Sequence, residues 1–65
     1  MEIKESQLQA KDWAFNDLVK CDQNNQQYTI VDHLVYENGD EMVILAEVKD
    51  EDRVNPETIS QWFKS

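Results

Sequence analysis

Tyr28-Thr29-Ile30-Val31-Asp32-His33-Leu34-Val35-Tyr36 leads through Glu37-Asn38-Gly39-Asp40-Glu41 into Met42-Val43-Ile44-Leu45-Ala46-Glu47-Val48. Two runs rich in aromatic and β-branched residues thus flank an Asn-Gly pair, the strongest short-range signal for an antiparallel β-hairpin. A two-residue Asn38-Gly39 turn would set Thr29, Val31, His33 and Val35 on one face with Met42, Ile44, Ala46 and Val48. A three-residue loop with Gly39 in the left-handed conformation shifts the pairing by one. Tyr28, Ile30, Leu34 and Tyr36 then join Met42, Ile44, Ala46 and Val48 in a larger apolar face, and this register is favoured. Val31, Val35, Val43 and Leu45 would remain on the reverse face, so something further must pack there.

Working back from the hairpin, Asp22-Gln23-Asn24-Asn25-Gln26-Gln27 is a polar break with turn-forming residues. Before it, Leu8, Phe15, Leu18 and Val19 recur at spacings of three, four and seven, with Ala10, Ala14 and Cys21 widening the stripe. This spacing predicts a helix from about Glu5 to Cys21, with Trp13 off the stripe near the polar face. Working forward, Lys49 to Val54 is a charged loop. Asn55-Pro56-Glu57 has the chemistry of a helix start: Asn as N-cap, Pro in the first turn, Glu beside the dipole. Ile59, Trp62 and Phe63 at i, i+3 and i+4 would form the apolar face of a two-turn helix. The expected fold class is therefore α+β: an N-terminal helix, a two-stranded antiparallel β-hairpin and a short C-terminal helix, in a single small domain over residues 1–65.

Charge and composition narrow the function. Fourteen Asp and Glu oppose six Lys and Arg, a net charge of −8. Nucleic-acid affinity comes largely from Lys and Arg neutralising phosphates, so nucleic acid and anionic lipid are repelled. No apolar run approaches the roughly 20 residues of a membrane span. Met1 to Glu5 carries two acids and no apolar stretch, which does not read as a signal peptide and favours a cytoplasmic location. One Cys excludes an internal disulfide framework. Cys21 and His33 alone cannot supply the four ligands of structural zinc, and Asp40-Glu41 and Asp50-Glu51-Asp52 lack the alternating calcium-loop pattern. No metal, cofactor or small-molecule substrate is expected. With a single His, a single Cys and a single Gly, the chain offers no nucleophile beside a base and no phosphate loop, so it reads as a non-enzyme.

What remains is interaction. Glu37 to Glu57 alone carries a net −6. Glu37, Asp40, Glu41, Glu47, Asp50, Glu51 and Asp52, with Trp13 as an aromatic anchor, are the candidate partner-binding residues, suited to a protein with a basic surface. The sequence reads as a non-catalytic acidic protein-interaction module. In size and charge it resembles small acidic, phage-type inhibitors that imitate nucleic acid, an implication that requires the acids to form one patterned row. Two alternatives stand beside it: a homodimer burying the second sheet face, and a nucleic-acid-binding regulator. The latter comes from Asn55 to Trp62, which resembles the opening of a helix-turn-helix recognition helix over eight residues, with no Lys or Arg before Lys64.

Overall fold

The structure, a computed structural model, describes residues 1–64. Five strands make one sheet: β1 Glu2–Lys4, β2 Leu18–Cys21, β3 Gln27–Val35, β4 Glu41–Glu47 and β5 Gln61–Phe63, in the order β1-β4-β3-β2-β5. All neighbours are antiparallel except β2 and β5, which run parallel. Single 3-10 turns at Glu5–Gln7, Asp50–Asp52 and Pro56–Thr58 are the only helical segments among the described residues. None is long and apolar enough to cross a membrane.

The chain start joins the two edges of this sheet. β1 pairs with β4, and then, past the first 3-10 turn, Leu8 bridges to Phe63. The Gln9 amide donates to the Trp62 carbonyl at 2.9 Å, and Gln7 Nε2 donates to the Lys64 carbonyl at 2.8 Å. The sheet thus curls into a small barrel whose ends meet at this single bridge, so the β5 edge is covered there by residues 7–9. Inside lie Ile3, Leu8, Val19, Cys21, Ile30, Val43, Leu45 and Phe63, with Trp13 and Tyr28 packed against them.

The hairpin forms with the longer loop. The Tyr36 amide donates to Asp40, the Gly39 amide donates to Tyr36, and Gly39 adopts φ +90°, the left-handed conformation that glycine takes without strain. The buried face, however, is not the expected one. Val43 and Leu45 point inward, while Met42 and Ile44 lie half-buried on the outside opposite Leu34 and Asp32. A bulge reconciles this with a buried Ile30. Asp32 pairs with Ile44 but Ile30 pairs with Leu45, leaving Val31 as the extra residue. The strand thereby changes face halfway along its length.

The α+β expectation is overturned, and the two-stranded hairpin is the middle of a five-stranded, mostly β structure. Residues 5–21 do not form a helix. Asn16 takes φ 73°, and Asp17 Oδ2 accepts from the Ala14 amide at 2.7 Å, which closes a tight turn where the helix would have continued. Beyond it, Val19 and Cys21 are buried while Leu18 and Lys20 are half-buried on the outside, a period of two. Phe15, which the helical stripe placed in the core, is 56% exposed. The C-terminal helix fails differently. Asn55 does cap, its Oδ1 accepting from the Glu57 amide at 3.1 Å, but helical geometry ends at Thr58. Ile59, Gln61 and Phe63 then alternate inward, with Trp62 half-buried between them. The segment compared with a recognition helix is thus a 3-10 turn and a strand paired on both sides, and it presents no helix to a groove.

A buried glutamine fastens the long loop after β4. Gln27 is 1% exposed, its Nε2 donating to the Val54 carbonyl at 2.7 Å and its Oε1 accepting from the Val54 amide at 3.1 Å. The side-chain amide thus pairs with backbone as a neighbouring strand residue would.

Candidate functional site

The inward row Ile3–Val43–His33 crosses β1, β4 and β3. One step toward the hairpin tip, alternation brings Glu5 and Glu41 beside His33. His33 Nε2 lies 3.7 Å from Glu5 Oε2 and 3.9 Å from Glu41 Oε1. Neither distance is a hydrogen bond, and Nε2 is shielded from water with no partner.

The loop that replaces the expected helix brings aromatic groups to the same end. The Trp13 ring meets the His33 imidazole edge-on at 5.4 Å and the Phe15 ring at 5.7 Å. Trp13 is half-buried against the core rather than lying on a polar face, while Phe15 stays exposed. Val35, two residues beyond His33 and opposite Glu41, is 65% exposed. Next to this apolar surface a cleft of about 320 Å³ is lined by Glu5, Asp40 and Glu41 together with Lys4 and Lys11. Both the aromatic anchor and the hairpin-tip carboxylates therefore converge.

The remaining acids do not join them. Glu41 and Glu47 terminate β4, about 20 Å apart at roughly 3.3 Å per residue, with five uncharged residues between. Glu37, Asp40 and Glu41 belong to the tip. Asp50, Glu51 and Asp52 form an exposed 3-10 turn beyond the far end, where Asp50 faces Arg53 at 3.9 Å. Glu47 accepts a hydrogen bond from Gln26 Nε2 at 2.6 Å. Two groups at opposite ends of a strand do not make the single row that imitation of nucleic acid requires.

Phe15, Glu5 and His33 were not among the candidate partner-binding residues: helical spacing set Phe15 on a core stripe, and His33 fell in mid-strand without a ligand role. Once the three-residue loop is chosen, the hairpin register already places Glu41 diagonal to His33. Glu5 carries no such signal, because only the pairing of β1 with β4 brings it there. Cys21 is a buried core residue, and His33 is met by carboxylates rather than by a hydroxyl or thiol.

No family model, curated protein or solved structure matches this chain.

Proposed function

We propose that the protein is a non-catalytic interaction module that binds a basic protein partner through the aromatic end of the barrel. The observation that carries this reading is the exposed Phe15 beside Trp13 together with the exposed Val35, which lies two residues beyond His33 and opposite Glu41, near the hairpin tip that holds Asp40 and Glu37. Aromatic groups with an apolar body make good anchors, and the carboxylates supply steering toward positive charge. Glu47, Asp50, Glu51 and Asp52 contribute to the overall field but lie outside the contact. Phe15→Ser and the charge reversal Glu41→Lys change exposed side chains and leave the core intact. Affinity capture from a cell lysate should recover a partner with the wild type at low salt, less at high salt, and none with either variant. Equal recovery by wild type and both variants sinks the proposal.

A second reading has its own observation. The outer face of the hairpin keeps Leu34, Met42 and Ile44 half-buried, with Val31 and Tyr36 about half exposed. Self-association through this face would cover it. Sedimentation at micromolar concentration distinguishes the two: a 7.7 kDa species throughout rejects the homodimer.

A further inference from the structure

We propose that Glu5, His33 and Glu41 form a binding site for one first-row divalent transition-metal ion, zinc by preference. The inference is independent of whether the aromatic end binds protein. Three neighbouring strands or their immediate extension each deliver one ligand, and the ligand atoms of all three lie within 4.8 Å of one another. Nε2 stands 3.7 and 3.9 Å from its two carboxylate oxygens, too far for a hydrogen bond. Ligands about 2.0–2.1 Å from a tetrahedral ion stand roughly 3.3 Å apart, so small rotations of the two glutamate side chains close the site. The second observation is the state of Nε2 itself. It is closed to water and has no hydrogen-bond partner, which is uncommon for a buried polar atom and calls for an explanation. A metal ion between Nε2 and the carboxylates satisfies all three groups at once.

The donor set selects the ion. Calcium and magnesium take oxygen ligands, and copper(I) takes sulfur, whereas imidazole with carboxylates suits zinc and its neighbours. The Glu41 side chain is 52% exposed while those of Glu5 and His33 are about a quarter exposed, so the site opens on one side. Three protein ligands with an open fourth position leave room for water or a donor from a partner. Trp13 packs edge-on against the imidazole at 5.4 Å. The plain alternative is an ion pair between a protonated imidazole and two carboxylates, and it predicts no metal affinity.

The test titrates the full chain with zinc by calorimetry and follows the imidazole nitrogens by NMR, unambiguous because His33 is the only histidine. Cobalt(II) quenching of Trp13 in a Trp62→Phe background gives an independent proximity readout. The expected result is saturation at one ion per chain, a shifted Nε2 resonance and quenched Trp13 fluorescence. His33→Gln and Glu41→Gln should each lower affinity at least tenfold, given that losses of about 10–100-fold follow removal of mere supporting groups around a metal. Glu51→Gln, at the far end of the molecule, should bind as the wild type does. Glu41 is exposed, so its variant decides the matter even if His33→Gln unfolds. Absence of saturable binding, an unmoved His33 resonance, or unchanged affinity in Glu41→Gln overturns the proposal.

Discussion

At one end of β3, Gln27 is buried and both of its amide atoms are used, each paired to Val54. Near the other end, His33 Nε2 is also closed to water yet bonds to nothing. The first arrangement resembles ordinary structural use of a buried polar group, fully satisfied by backbone. The second leaves a polar atom unsatisfied beside two carboxylates and an exposed aromatic surface. A fold with so small a core keeps such a defect at a cost in stability, which fits a site shaped by binding rather than by folding.

Breaking the satisfied end should have the larger effect. Gln27→Ala removes both hydrogen bonds to Val54 and opens a cavity, leaving the loop held by the Val48 amide on the Gln27 carbonyl and by Arg53 on the Asn25 carbonyl. A loss of about 2–4 kcal/mol is expected from chemical denaturation, combining the unpaired groups with the missing side-chain volume. A loss below about 1 kcal/mol would show that the loop is held by other contacts, and the contrast between the two ends would lose its basis.

The unsatisfied end should respond in the opposite direction. His33→Leu keeps an apolar body against Trp13 and removes the unpaired nitrogen, so stability should be unchanged or rise by up to about 1 kcal/mol. What is lost is a pair of carboxylate contacts at 3.7 and 3.9 Å, neither of them a hydrogen bond. Denaturation in the presence of a chelator isolates this effect from bound metal. Destabilisation beyond about 1 kcal/mol would mean that His33 serves the fold, as Gln27 does.

The same contrast explains which parts of the structure were legible in the sequence. The β3–β4 hairpin was readable because Asn38-Gly39 and its flanking β-branched runs act locally. Its inward face was not, because the Val31 bulge reverses the alternation at one point. Asn55 and Pro56 suggested a two-turn helix, but they open only a single 3-10 turn, because cap chemistry starts a helix without sustaining it. Gln61 hid the period-two pattern of Ile59 and Phe63 by placing a polar residue at a buried position. Leu8, Phe15, Leu18 and Val19 fitted a helical stripe, and nothing local announced the left-handed Asn16 or the partners waiting on β3 and β5. The aromatic site inherits these limits: Trp13 and Glu41 stood out by residue type, whereas Phe15 and Glu5 reach it only through long-range pairing. Strand pairing at large sequence separation decides such a fold, and helical spacing competes with it poorly.

The smallest effect concerns the two tyrosines, whose phenols are both held above their usual value near 10 for different reasons. Tyr28, packed against Phe63, is raised first by burial and then by the nearby Glu47 charge. Tyr36 is raised mainly by the hydrogen bond it donates to Glu2 Oε1 at 3.1 Å. In both cases folding favours the neutral phenol, so this contribution to stability is fully present below about pH 10 and disappears as the pH rises through the folded-state values. A phenolate absorbance titration of the native protein should therefore lag behind that of the denatured chain. Glu2→Gln should move only the Tyr36 component downward, because it removes the negative charge that the hydrogen bond and the Coulomb repulsion share. If both components shift together, the two tyrosines are coupled through the sheet rather than governed by separate surroundings.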